Sequence, residues 1–212
     1  MKLVLDLDGT VYGPSGKVRD AVVRRLKRTL TTLSNSGETL DKCISRLGSK
    51  YGTKSLTMMI CLETGSNQES VVEATYVPEF KACEGIALRP GIRELLGLGV
   101  TTEILTNAPE AWARYVLTYY GIADRVSKIC GLGTGFLYQK PEDAEVFQQI
   151  EGGDIVYVDD IFANCVEAHK LGWNAFWFPE EDSYHLGEGL GDTRDRSIKR
   201  IHTAIEAMRS GG

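Results

Sequence analysis

The stretch Leu3-Val4-Leu5-Asp6-Leu7-Asp8-Gly9-Thr10 constrains this chain more than any other. A short apolar run bounded by a turn signal reads as a buried strand of a parallel sheet. Two carboxylates follow at i and i+2, where that strand should end, and after them come a glycine and a hydroxyl. Open α/β sheets bind ligands beyond the carboxyl ends of their strands, so chemistry is expected there. Asp and Gly are also common turn residues, and alone the stretch is equally a strand ending in a polar turn. The rest of the chain has to decide between the two.

Beyond a Gly13-Pro14-Ser15-Gly16 loop, Val18, Val22, Leu26, Leu30 and Leu33 recur at near-helical spacing. A second amphipathic segment runs from about Glu38 to Tyr51, a Met- and Leu-rich one covers Thr53 to Leu62, and Gln68 to Tyr76 reads as a short helix. Nothing between Pro14 and about Leu88 alternates like a sheet. From Arg89-Pro90-Gly91 the rhythm changes. A helix over Ile92–Leu98 precedes a buried strand at Thr102–Asn107, and Pro109 fits the first turn of the next helix. Val126–Cys130 reads as a short strand and Ala144–Ile150 as a helix opened by Lys140-Pro141. Asp154–Val158 is a strand ending in Asp159-Asp160. A helix over Cys165–Leu171 leads to a last apolar strand at Ala175–Phe178. Glu180 to Asp195 is acidic and Gly-rich and reads as a loop before a terminal helix marked by Ile198, Ile201, Ile205 and Met208. Strands alternating with helices predict βαβ units and a mainly parallel α/β sheet. The expected organisation is a core of residues 1–13 and 89–212 interrupted by an all-helical block at 14–88.

Composition narrows the function classes. The net charge of −5 and the lack of any basic run argue against a nucleic-acid polymer as ligand. No apolar stretch nears the ~18 residues that would span a bilayer, and the start does not resemble a signal peptide. Five scattered cysteines without a C-x-x-C pair suggest reduced, mostly buried thiols, hence a cytoplasmic protein without a zinc site.

Three strands end in polar groups: Asp6 and Asp8, Thr106 and Asn107, Asp159 and Asp160. A parallel sheet brings these ends to one rim, and Lys140 precedes the last of the three strands. Clustered carboxylates form a hard-oxygen site suited to Mg²⁺. Asp6 has the chemistry of a nucleophile toward phosphorus, and Asp8 that of an acid and then a base. Thr106 and Lys140 could hold phosphoryl oxygens. Each piece has an ordinary alternative: a turn or cap for Thr106-Asn107, a solvated surface lysine for Lys140, and a cap for the following helix for Asp159-Asp160. In this order and together, they point to one site. Other signals are weaker. Gly131-Leu132-Gly133-Thr134-Gly135 lacks the Lys of a phosphate loop, and the three histidines have no metal spacing. The Trp112, Tyr115, Tyr119, Tyr120 group reads as core or interface.

The set Asp6-Leu7-Asp8-Gly9-Thr10, Leu105-Thr106-Asn107, Lys140-Pro141 and Val158-Asp159-Asp160 with Asn164 resembles the four motifs of the haloacid dehalogenase superfamily of phosphohydrolases. The resemblance implies a Rossmann-like core with helices on both faces, an all-helical cap inserted after the first strand, and Mg²⁺ as cofactor. It implies Asp6 as nucleophile and Asp8 as general acid/base. Thr106, Asn107 and Lys140 would bind phosphate. The metal would be held by Asp6, the Asp8 main-chain carbonyl and Asp160, with Asp159 and Asn164 in support. Dehalogenating members lack an acid at the position of Asp8, so phosphate transfer is favoured. Lys50-Tyr51-Gly52-Thr53, Thr106-Asn107-Ala108 and Gly121-Ile122-Ala123-Asp124 look most like the pyrimidine 5′-nucleotidase branch. Gly9 in place of an Asn, and a Phe (Phe147) one position late after Lys140-Pro141, depart from it. The expected activity is hydrolysis of a small phosphate monoester, with a nucleoside monophosphate as first substrate. A phosphomutase of the same superfamily and a non-catalytic binding protein on the same fold are the alternatives.

Overall fold

The computed structural model describes residues 1–53, 55–83, 85–132, 140–141, 144–179 and 193–210. Its frame is a five-stranded sheet of β1 (Lys2–Leu5), β4 (Thr101–Pro109), β5 (Lys128–Leu132), β6 (Ile155–Asp159) and β7 (Asn174–Trp177). The order is β5-β4-β1-β6-β7, and all four pairings are parallel. β1 sits at the centre, with β4 on one side and β6 on the other. This is the switch point at which ligands of open α/β sheets bind.

Apolar side chains on alternate faces explain why β1 reads as an unbroken hydrophobic run. Leu3 and Leu5 join one buried cluster with Ile104, Val156 and Val158, while Val4 joins a second with Leu105, Ile155 and Tyr157. The first face is covered by α5 (Ile92–Leu96), α6 (Glu110–Tyr119) and α8 (Thr193–Ser210), through residues such as Leu95, Val116 and Ile201. The second is covered by α7 (Phe162–Lys170), through Ala168, and by a 3-10 turn at Ala144–Gln149, through Val146 and Phe147. The fold is thus an α/β Rossmann-like sheet with helices around it.

Four helices follow β2 (Tyr12–Gly13): α1 (Ser15–Thr32), α2 (Leu40–Tyr51), α3 (Leu56–Thr64) and α4 (Gln68–Ala82). The starts of α2, α3 and α4 are set by Thr39, Ser55 and Asn67, whose side chains accept from the main-chain N–H three residues on. Gly52 and Gly65, both left-handed, close α2 and α3. The apolar stripe of α1 (Val18, Val22, Leu26, Leu30) joins the same buried cluster as Leu3 and Leu5. No helix among the described residues is long and apolar enough to cross a membrane.

The structure differs from the sequence reading in several places. α4 runs to Ala82, not Tyr76, and passes through Pro78, with Val77 and Phe80 buried on either side of the proline. A two-stranded antiparallel ladder joins β2 to β3 (Ala87–Leu88), where no strand was expected. Pro109 is the last residue of β4 and caps α6 instead of entering its first turn. The segment after Lys140-Pro141 is a 3-10 turn, not an α-helix, and α8 starts at Thr193, inside the expected loop. The remainder of that loop, His185 and the glycines of Gly133–Gly135 lie outside the described residues.

Candidate active site

Asp6 lies one residue past β1, and Asp159 ends β6 beside it. The main-chain N–H of Asp6 donates to the Val158 carbonyl at 2.9 Å, which places the two acidic strand ends side by side. One carboxylate oxygen from each of Asp6, Asp159 and Asp160 lies within 4.8 Å of the others. Asp6 and Asp159 are buried and Asp160 is half-buried. Thr10 positions Asp160: its hydroxyl accepts from the Asp160 N–H at 2.9 Å and reaches Asp160 Oδ1 at 3.5 Å.

Lys140, 3 % exposed, is the counter-ion. Its Nζ donates to Asp6 Oδ1 and Asp159 Oδ2, each at 2.8 Å, and contacts the Leu105 carbonyl at 2.7 Å and the Tyr157 hydroxyl at 2.9 Å. Burial works to lower the Lys140 ammonium, but the charges of Asp159 and Asp6 outweigh it and hold its pKa above the ordinary value. Asp6 goes the other way from a normal carboxylate. Burial raises its pKa, and Asp159 and Asp160 add to the rise, so that Lys140 only partly offsets them.

Asp159, expected from the sequence in support of the metal site, is fully buried and bonded on both oxygens. Oδ2 takes Lys140, Tyr157 and Asn164 Nδ2 (2.9 Å), and Oδ1 takes the Ile161 N–H at 2.7 Å. The Oδ1 bond goes to Ile161, the N-cap residue of α7, whose own side chain makes no cap bond. Asn164 is buried as well, and its Oδ1 has no hydrogen-bond partner among the described residues. Asn107, expected beside a phosphate, is committed elsewhere. Its Nδ2 donates to the Lys140 carbonyl and its Oδ1 accepts from the Lys140 N–H, both at 2.8 Å, so its amide clamps the main chain that carries the lysine. Thr106 is buried at the end of the same strand, with Oγ1 accepting from the Ala108 N–H at 3.0 Å.

Asp8 stands apart from the carboxylate trio. Its Oδ1 accepts from the Tyr12 hydroxyl and from Trp112 Nε1 at 3.3 Å, and it lines a cavity of about 320 Å³ between the sheet edge and α1, α3 and α4. Tyr12 and Trp112 are partners that sequence reasoning missed, because nothing in their spacing distinguishes them from core aromatics. Tyr157 was missed too, though its i, i+2 relation to Asp159 puts both on one face of β6.

The trio meets the requirements of a hard divalent cation. All donors are oxygen, and among the described residues three carboxylates face the Lys140 ammonium and the buried Asn164 amide oxygen lacks a hydrogen-bond partner. Gly9 supports the same geometry: at φ +86°, any Cβ there would stand 2.4 Å from Asp160 Oδ2.

No family model matches the chain, and no curated protein matches it in sequence. Solved structures do match in fold. A HAD phosphatase from Thermococcus onnurineus aligns over 97 % of this chain and 98 % of its own, with 18 % identity and a TM-score of 0.56. CbbY from Rhodobacter sphaeroides, solved in complex with phosphate, covers 90 % of this chain and 91 % of its own, at 16 % identity and a TM-score of 0.57. A predicted phosphatase from Clostridium acetobutylicum covers 95 % and 98 %, at 20 % identity and a TM-score of 0.53. At these identities the likeness is one of architecture, and the chain has the α/β fold of HAD-type phosphatases.

Proposed function

We propose that this protein is a phosphatase of the haloacid dehalogenase superfamily that hydrolyses a small phosphate monoester at the rim formed by β1, β4 and β6. The observation that carries the reading is the division of labour among the carboxylates. Asp6 is ion-paired to Lys140 within the acidic trio, whereas Asp8 faces the neighbouring cavity. In the first step an Asp6 carboxylate oxygen forms a bond to phosphorus as the bond to the leaving oxygen breaks, and Asp8 gives that oxygen its proton. In the second step Asp8 takes a proton from water, the water oxygen bonds to phosphorus, and the acyl phosphate bond breaks. Inorganic phosphate leaves and the Asp6 carboxylate is restored. Lys140 orients Asp6 and supplies positive charge as the phosphoryl group moves, and the Thr106 hydroxyl donates to a phosphoryl oxygen. Asn107 acts through the Lys140 main chain.

Asp6, Asp160 and the Asp8 main-chain carbonyl would hold Mg²⁺, which supplies charge neutralisation for an anionic substrate among carboxylates. Asp159, already bonded to four donors, fixes Lys140 and the start of α7. Residues 14–88 serve as the cap: α1, α3 and α4 wall the cavity beside Asp8 and exclude bulk solvent from it while the leaving group is bound. A nucleoside monophosphate is the first substrate to assay.

The test is phosphate release with Mg²⁺ from a panel of monoesters. Asp6→Asn should show no turnover while keeping the wild-type circular dichroism spectrum. Full activity in that variant overturns the mechanism.

A further inference from the structure

The cavity beside Asp8 has a defined chemistry. Its walls are Val18, Val22 and Leu26 from α1, Leu56 from α3, and the rings of Tyr76 and Trp112, which lie 5.2 Å apart. Among the described residues, Asp8 is the one carboxylate in the lining, and Arg19, exposed on α1, is the one cation. Four uncharged polar residues of the lining, Tyr76, Thr57, Ser55 and Asn107, are bonded within the protein. Tyr76 and Thr57 share a hydrogen bond of 3.3 Å, Ser55 accepts from the Met58 N–H, and the Asn107 amide is taken by Lys140.

Such walls offer little to a polyol, whose hydroxyls would lose water without gaining partners, and less to a second phosphate. They favour burial of apolar surface, and about 320 Å³ is at the lower end of the range for small-molecule sites. We propose that the leaving group received here is a bulky, mainly apolar alcohol, aromatic or branched, so that the preferred substrates carry one phosphate and no second anionic group. An arylalkyl alcohol meets this description; a phosphorylated sugar or glycerol does not. The inference rests on the roles given above to Asp6 and Asp8.

The experiment compares kcat/KM for 2-phenylethyl phosphate, glycerol 3-phosphate and acetyl phosphate in the full chain with Mg²⁺. Both alcohols are poor leaving groups, so a preference between them reports binding and not leaving ability. Acetyl phosphate needs only the catalytic centre, since its acetate leaves without help from the cavity. The expected result is at least a tenfold preference for the phenylethyl ester over the glycerol ester. Val22→Trp, which fills the cavity, should lower the phenylethyl-to-acetyl phosphate ratio by a similar factor. Turnover of acetyl phosphate with equal or reversed preference between the two esters overturns this inference and leaves the catalytic reading intact. No turnover of acetyl phosphate or of either ester overturns the catalytic reading, and the inference with it.

Discussion

Asp8 receives two hydrogen bonds on one oxygen, from Tyr12 and Trp112, and both donors are buried aromatics of the cavity wall. Burial and the charge of Asp8 hold the Tyr12 phenol well above its ordinary pKa, so it remains a donor throughout the neutral range. Hydrogen bonds to a charged group contribute about 1.5–3 kcal/mol, so loss of the Tyr12 bond should cost about ten- to a hundredfold where Asp8 must protonate the leaving group. Tyr12→Phe should therefore slow an alkyl phosphate by that factor. It should change p-nitrophenyl phosphate turnover far less, because nitrophenolate leaves without a proton. Equal losses on both substrates would show that the phenol serves packing alone. The paired carboxylates of the β1 loop were readable from their i, i+2 spacing at a strand end. Their unequal environments were not, since Tyr12 and Trp112 reach Asp8 only through the fold, the latter from 104 positions away.

Between elements, the return from the helical block to the sheet is fastened by Arg89. Its Nη1 donates to the Gly9 carbonyl and to the Phe178 carbonyl at 2.8 Å, and its Nη2 to the Pro179 carbonyl at 2.7 Å. The guanidinium carbon also lies 3.9 Å from the centre of the Phe178 ring. One side chain thus ties the loop after β1 to the chain leaving β7. Arg89→Leu strands buried carbonyls, and a cost of about 2–4 kcal/mol is expected. For a chain of this length that is a fall in Tm of roughly 5–15 °C, readable by calorimetry; an unchanged Tm would remove Arg89 from the fastening role. Elements of this kind mark where sequence legibility ended. β1 and β6 were visible because both faces of each strand are buried, and the runs Leu3–Leu5 and Ile155–Val158 show it directly. The β2–β3 ladder has two residues a side, too few for any alternation to register. α4 was cut short because Pro78 removes a donor and reads as a break; burial of Val77 and Phe80 carries the helix past it.

For the molecule as a whole, the fold sets two acidic strand ends against each other. β1 pairs with β6 through Leu5 and Val158, so Asp6 and Asp159 follow as neighbours, and Asp160 is held close by Thr10. Burial, with the charges of Asp159 and Asp160, opposes this closure and raises the pKa of Asp6, and Lys140 only partly offsets it. A divalent cation that binds the folded rim and not the unfolded chain would stabilise the protein. At a Mg²⁺ concentration about a hundred times its Kd, the linkage amounts to about 2.7 kcal/mol. That corresponds to a rise in Tm of roughly 5–11 °C for a chain of this size. Chelation should remove both this increment and phosphate release, and added Mg²⁺ should restore both. In Asp160→Asn the Mg²⁺-dependent rise should shrink, while the metal-free variant, with one fewer charge at the rim, should melt no lower than the metal-free wild type. A wild-type Tm indifferent to Mg²⁺ up to concentrations that saturate activity would show that Asp6 and Asp160 do not hold the cation.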